Sequence, residues 1–265
     1  MQHHDDTIAN IVNAAPERPD WHAVIVTGSV ARGKERVDSD VDVSIVVDEE
    51  TFATAYAAGR VSWVEHDLAS YDGGYVDIKI LTREHLAFVG ERGDEPTRAT
   101  YVGARVVWVR EAELREELET LIAGIGELSD AEWRAREESG IAVLRLQVGY
   151  FAPHAIGVGD LFLLHHAAVH AVSGAARALL AHHRTLFVSN KYISTTLPTL
   201  PGVPAEWTTL STALLEAPST ETFAAFYAMV EGAADWTLAP DDAGGRYVTD
   251  NELAWLTGVP PSEYR

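Results

Sequence analysis

Two short runs of apolar, β-branched residues with a glycine-rich turn between them constrain the fold of this chain most strongly. Residues 21–26 and 41–47 have the length and composition of buried strands. The first run is followed by Gly28 and Ser29, and the second opens at Asp40 and Asp42. The pattern predicts that the Gly-Ser turn ends one strand and that the two aspartates begin the next.

The two aspartates have a spacing that suits a metal ion. Asp40 and Asp42 are two residues apart, so on an extended strand both carboxylates point to the same face of the sheet. Two carboxylates in that position repel each other unless a cation lies between them. Hard divalent ions such as Mg²⁺ bind carboxylate oxygens and keep positions open for the phosphates of a substrate. The spacing therefore favours a nucleoside triphosphate site with metal-binding carboxylates.

The turn before the aspartates has the composition of a phosphate-binding segment. Gly28 lets the backbone come close to phosphate oxygens, and Ser29 offers a hydroxyl group and an N–H. Arg32 or Lys34 adds positive charge, and Gly33 closes the turn. Gly28, Ser29 and Arg32 are the predicted nucleotide contacts of this segment.

A third carboxylate lies on a later strand. Residues 75–81 alternate between apolar and polar positions after the turn signal at residues 72–74, and Asp77 is the acid within that run. If this strand pairs beside the strand of Asp40 and Asp42, Asp77 reaches the same metal and can take the proton of an attacking hydroxyl group. The sequence leaves that pairing open.

As a set, these motifs resemble the DNA polymerase β-type nucleotidyltransferase superfamily over roughly residues 5–110. Its small members include aminoglycoside and lincosamide nucleotidyltransferases and the minimal nucleotidyltransferases of toxin–antitoxin pairs. The resemblance implies phosphate contacts at Gly28 and Ser29, and one departure is Val43, where many members carry leucine. It further implies a two-metal site whose ligands are Asp40, Asp42 and Asp77, the last as third ligand or general base.

Composition sets limits on partners and location. The chain has 265 residues, 47% of them hydrophobic, which is enough for one large or two modest domains with cores of their own. It has no cysteine, a polar start and no apolar run near twenty residues, from which we expect a cytoplasmic protein with no membrane partner. The net charge of −20 disfavours a DNA or RNA template and suits a cationic small molecule, although a solubility-adapted surface has the same composition.

The organisation along the chain predicts an α+β protein with two domains. Helical and strand patterns mix as far as residue 126, and long helical periodicities follow from about residue 128. We therefore expect a nucleotidyltransferase domain over residues 1–126, with a mixed sheet and flanking helices, and an α-helical bundle over residues 127–265. In the bundle, a capping box at Ser129 opens one helix, and Asp160 opens another with Leu161, Leu164 and Val172 facing inward.

Three features of the second domain raise further possibilities. His166 and His170 stand one helical turn apart, a spacing that can hold zinc, but exposed or cleft-lining histidines are the commoner case. Lys191 follows a helix at a place where small nucleotidyltransferases often carry a basic residue, so we expect it to contact the triphosphate. Glu231 and Trp236 have the composition of a site for cationic sugars, although core and surface roles are commoner.

The sequence thus predicts a nucleotidyltransferase that moves a nucleoside monophosphate, AMP favoured, from a nucleoside triphosphate to a hydroxyl group of a small molecule such as an antibiotic. The expected cofactors are two Mg²⁺ ions, with ATP favoured as the co-substrate. Two alternatives stay open at this point: nucleotidylation of a protein or tRNA partner, and a non-catalytic module that senses nucleotide.

Overall fold

The computed structural model describes residues 1–261 and divides into two compact units, Met1–Glu127 and a second that begins at Leu128. The first unit is built on a five-stranded sheet. Its strands are β1 (Ala23–Val26), β2 (Val41–Val46), β3 (Ser62–Glu65), β4 (Val76–Leu81) and β5 (Arg105–Val109). Its helices are α1 (Gln2–Ala14), α2 (Gly28–Ala31), α3 (Glu49–Ala57), α4 (Arg83–Arg92), α5 (Glu95–Tyr101) and α6 (Glu113–Ile125).

The sheet is mixed, and its strand order is β3-β4-β2-β1-β5. Strands β2 and β4 are parallel, whereas β1 with β2, β1 with β5 and β3 with β4 are antiparallel. Alternate residues of a strand face opposite sides, and both sides are covered. Val24 packs with Ile11 of α1 on one face, and Ile25 packs with Leu118 of α6 on the other. The α+β fold class predicted from the sequence is confirmed.

The second unit is helical. Its helices are α7 (Asp130–Leu146), α8 (Ala152–Val158), α9 (Leu161–His182), α10 (Ile193–Thr196), α11 (Trp207–Glu216), α12 (Thr220–Glu231) and α13 (Ala243–Tyr247). A π-helical turn, Gln147–Phe151, joins α7 to α8. The predicted caps are present, because Ser129 forms a capping box with Glu132 and the Asp160 side chain accepts a hydrogen bond from the Leu163 amide.

Helices α7 and α9 approach closely where each carries a glycine. A Cβ atom on Gly140 would lie 2.7 Å from the carbonyl oxygen of Gly174, and one on Gly174 would lie 2.8 Å from that of Gly140. Around this crossing lie fully buried alanine and leucine side chains, Leu144 and Ala175 among them. By length and composition, one helical stretch of residues 1–261, Asp130–Val158, is apolar enough to cross a membrane, and 44% of its apolar window is buried.

Two local expectations were wrong. The apolar run of residues 101–109 predicts a strand that starts at residue 101, but Tyr101 ends α5 and β5 starts at Arg105. Helix α5 begins at the Asp94 side chain, which accepts a hydrogen bond from the Thr97 amide. Leu161 does not face inward but is 70% exposed, since it is the first residue of α9 and precedes the turns that pack on α7. Val172 is buried as expected.

Candidate active site

The parallel pairing of β2 with β4 brings the predicted carboxylates together. The register places Asp42 directly opposite Asp77, and Asp40 lies just before β2. One carboxylate oxygen from each of Asp40, Asp42 and Asp77 lies within 4.8 Å of the other two, and all three residues are half-buried. Within residues 1–261 this is the one group of three or more ligand side chains with such spacing. The strand pairing that the sequence left open therefore assembles the triad.

Burial and negative charge dominate the electrostatics of the triad. Burial raises the pKa of Asp42 above its ordinary value, and the negative charges of Asp40 and Asp77 raise that pKa further. The positive charges of Lys79 and Arg32 lower the pKa of Asp42, but the pKa stays above its ordinary value. Ionised carboxylates this close together are stabilised by a cation, because it removes their mutual repulsion.

Two neighbours of the triad were not singled out from the sequence. The Nζ atom of Lys79 lies 3.1 Å from Oδ2 of Asp77, two residues away on the same face of β4. Tyr75 lies just before the same strand, and the negative charge of Asp40 is the main cause that raises the pKa of its phenol. The alternation of residues 75–81 places Tyr75, Asp77 and Lys79 on one face, so it is the signal that would have found both.

Gly28 brings the backbone close to the Asp42 carboxylate of the triad. Its φ angle is +69°, and a Cβ atom there would lie 1.9 Å from Oδ2 of Asp42. The Thr27 amide donates to the Asp42 carbonyl at 3.0 Å, which fixes the end of β1 beside β2. Because any side chain at position 28 would collide with this carboxylate, only glycine lets the backbone and the Asp42 side chain lie this close together.

The other residues of the turn lie close to this glycine. Ser29 is half-buried in the short helix α2, and its carbonyl accepts from the Lys34 amide at 2.9 Å. Arg32 donates from Nη1 to the Ala99 carbonyl at 3.1 Å, and its charge lowers the pKa of Asp42. Gly33 has a φ angle of +63°, which closes the turn as the sequence indicated.

Lys191 lies in the second unit, in the turn Asn190–Tyr192, with Nζ 5.5 Å from the centre of the Tyr192 ring. Its contact with a triphosphate stays a prediction. His166 and His170 have stacked rings 4.1 Å apart on α9, beside Phe162, which is 81% exposed.

Glu231 and Trp236 have structural partners. The guanidinium group of Arg145 forms a bidentate pair with Glu231, at 2.7 and 2.9 Å, and it also donates to the Leu238 carbonyl. This pair lowers the pKa of Glu231. Trp236 donates from Nε1 to the Val230 carbonyl at 3.0 Å. Both residues therefore support the packing of the second unit.

The donor set of the triad fits a hard divalent cation. It offers carboxylate oxygens alone, the ligand type that Mg²⁺ and Mn²⁺ prefer. The raised pKa of Asp42, which the charges of Asp40 and Asp77 help to cause, agrees with a cation at this place. The residues present thus fit a metal that holds substrate phosphates.

Comparison with known proteins gives one domain match. The family model described as "Nucleotidyltransferase domain" matches residues 8–101, a range that contains Gly28 and the three aspartates. A solved nucleotidyltransferase-like protein from Exiguobacterium sibiricum is similar over 94% of this chain and 80% of its own, with 12% identity and a TM-score of 0.46. No curated protein matches the chain.

Proposed function

We propose, from the match of residues 8–101 to the nucleotidyltransferase domain family, that the protein transfers a nucleoside monophosphate to a small molecule. The donor is a nucleoside triphosphate, ATP being the first to test, and the acceptor is a hydroxyl group. The convergence of Asp40, Asp42 and Asp77 within 4.8 Å is the observation that carries this proposal.

Each residue of the site has a part in the proposed reaction. Asp40, Asp42 and Asp77 would hold two Mg²⁺ ions, which supply neutralising charge and Lewis acidity to the phosphates. Gly28 would let the backbone come close to phosphate oxygens beside Asp42, because it has no side chain. Ser29 offers its hydroxyl group to a phosphate oxygen.

The transfer itself needs a proton acceptor and positive charge. As the acceptor oxygen bonds to the α-phosphorus and the bond to pyrophosphate breaks, Asp77 or an acid of the second unit receives the hydroxyl proton. Arg32 balances charge on the phosphates, and Lys191 is proposed to add a mobile positive charge to the leaving pyrophosphate.

The charge of the whole chain supports a cationic acceptor. A net charge of −20 attracts cations over long range and repels polyanions, so we propose an aminoglycoside-like antibiotic as the acceptor class and no nucleic acid template. A cytoplasmic location is part of the same proposal and agrees with the absence of cysteine from the sequence.

The proposal is tested by pyrophosphate release. The purified protein is incubated with Mg²⁺ and each of the four nucleoside triphosphates, against aminoglycosides, lincosamides and bulk tRNA. We expect release that depends on one small cationic acceptor, that persists in Asp20→Asn and that disappears in Asp42→Asn. Asp20 is the matched control, because it is an exposed aspartate of the same unit.

Three results would overturn the proposal in different ways. Release that depends on tRNA alone would replace the small molecule with a macromolecular acceptor. Nucleotide binding with no release for any acceptor would indicate a sensor. Full activity in Asp42→Asn would remove the triad from the chemistry.

A further inference from the structure

Asp40 is supported differently from the other two carboxylates. Asp42 and Asp77 lie within β2 and β4 and are held opposite each other by the sheet. Asp40 precedes β2, and the first backbone bond of that edge is from the Val41 amide to the Tyr75 carbonyl, at 3.2 Å. The position of Asp40 therefore depends on contacts that hold the loop before the strand.

The loop is held at the carbonyl oxygen of Ser39, the residue before Asp40. This oxygen accepts a hydrogen bond from Nε2 of His4, at 2.9 Å, and a second one from the hydroxyl group of Tyr71. Because a carbonyl oxygen can only accept, the His4 ring carries its hydrogen on Nε2. Two donors from distant parts of the chain thus converge on one peptide group.

Both donors are fixed by their surroundings. His4 is fully buried on α1, and its ring meets that of Tyr71 edge to face, with centroids 5.3 Å apart. Gly74 leaves room for Tyr71, since a Cβ atom there would lie 2.6 Å from the phenol ring. Within residues 1–261, Nδ1 of His4 has no hydrogen-bond partner, so the bond to Ser39 anchors the imidazole.

We infer that His4 and Tyr71 are positioning residues for the metal site. By holding the Ser39 carbonyl they fix the carboxylate of Asp40 near those of Asp42 and Asp77. Residues that orient metal ligands without touching the metal strongly affect metal affinity, because a displaced ligand no longer fits the coordination shell. The inference rests on the proposed function of the triad as a metal site.

Tyr71→Phe is the first test, because it keeps the ring and removes the hydroxyl group. Binding of Mn²⁺ alone is measured by electron paramagnetic resonance, and thermal unfolding is recorded on the same samples. We expect Mn²⁺ to bind about tenfold more weakly with little change in Tm. Tyr56→Phe is the matched control, since Tyr56 is 71% exposed, and it should bind Mn²⁺ as the wild type does.

The role of His4 is tested by two substitutions. His4→Leu removes the hydrogen bond to the Ser39 carbonyl, whereas the side-chain amide of His4→Gln can replace the Nε2 donor. We therefore expect His4→Leu to bind Mn²⁺ more weakly and His4→Gln to keep most of the wild-type affinity. If folded Tyr71→Phe and His4→Leu both bind Mn²⁺ like the wild type, the inference is wrong.

The metal measurement separates this inference from the proposed function. A wild-type protein that binds Mn²⁺ tightly but transfers no nucleotide would overturn the transferase proposal. In that case a weaker Mn²⁺ affinity of Tyr71→Phe would still support the positioning role. An active wild type whose Mn²⁺ affinity and kcat are unchanged by both Tyr71→Phe and His4→Leu would overturn the positioning role alone.

Discussion

At the scale of single residues, Gly28 combines a left-handed backbone with a position directly against a carboxylate of the triad. Its φ angle is +69°, and a Cβ atom would lie 1.9 Å from Oδ2 of Asp42. Gly59 has a φ angle of +66° with nothing within 4 Å of its Cβ position. Both glycines have a left-handed backbone, but only Gly28 borders a carboxylate of the triad.

Gly28→Ala should therefore abolish nucleotidyl transfer and weaken Mn²⁺ binding, because the methyl group displaces the Asp42 carboxylate. Gly59→Ala should cost about 1 kcal/mol of stability from its left-handed backbone and leave metal affinity unchanged. Chemical denaturation and Mn²⁺ titration of both variants check this. Equal metal affinity in the two variants would contradict the role given to Gly28.

The raised pKa of Asp42 predicts how stability depends on pH. Because its folded pKa lies above the unfolded value, the ionised carboxylate opposes folding once the pH rises through the folded pKa. In EDTA, Asp42→Asn should be more stable than the wild type at neutral pH, and the gain should shrink as the pH falls into the acid range. Thermal unfolding between pH 4 and pH 8 measures it.

Asp48 provides a control of opposite sign. The hydrogen bond that the Asp48 carboxylate accepts from the Thr51 amide lowers the pKa of Asp48. The ionised carboxylate therefore stabilises the folded state above the ordinary pKa of aspartate, and this stabilisation is lost as the pH falls through the lowered pKa. Asp48→Asn should lower Tm at neutral pH and converge with the wild type in acid. A destabilised Asp42→Asn at neutral pH would show that burial and like charges do not dominate at position 42.

The sequence predicted the triad through alternation, since residues two apart on a strand share a face. It did not predict the neighbours His4 and Tyr71, because their contacts with Ser39 join positions that are far apart in the chain. The same alternation places Lys79 on the face of Asp77, but a lysine in a strand is usually solvated, so its residue type alone does not indicate a contact with the triad.

At the scale of elements, the crossing of α7 and α9 holds the second unit together. Gly140→Ala should destabilise the protein by about 1–3 kcal/mol, since its Cβ would lie 2.7 Å from the Ala178 amide nitrogen of the facing helix. Gly157→Ala, in α8 with nothing within 4 Å, should leave stability unchanged or slightly raised. Urea denaturation compares them, and equal stabilities would argue against tight packing at the crossing.

Element types were predictable where a local signal was strong. The capping box at Ser129 and the cap at Asp160 set helix starts that the structure confirms. Helix α5 was missed because its seven residues are too few to show a periodic pattern, and its cap at Asp94 resembles an ordinary turn residue. The helical periodicity of residues 219–238 predicts one helix over that range, but α12 ends at Glu231, before Gly232.

At the scale of the whole molecule, the net charge of −20 predicts the salt dependence of the proposed reaction. For a cationic acceptor, kcat/KM should fall as salt rises from 20 to 300 mM, roughly the range over which the Debye length shortens from about 20 Å to about 6 Å. A neutral acceptor should show a weaker dependence. Steady-state kinetics at constant free Mg²⁺ make the comparison, and an equal slope for both acceptors would exclude electrostatic attraction.

We propose that Asp40, Asp42 and Asp77 together hold a divalent metal for nucleotidyl transfer. Equilibrium binding of Mn²⁺ to the wild type, Asp42→Asn and Asp20→Asn, with and without ATP, is the decisive test of this metal site. We expect Mn²⁺ to bind the wild type and Asp20→Asn, ATP to strengthen that binding, and Asp42→Asn to lose it. Equal Mn²⁺ binding by Asp42→Asn and the wild type would contradict it.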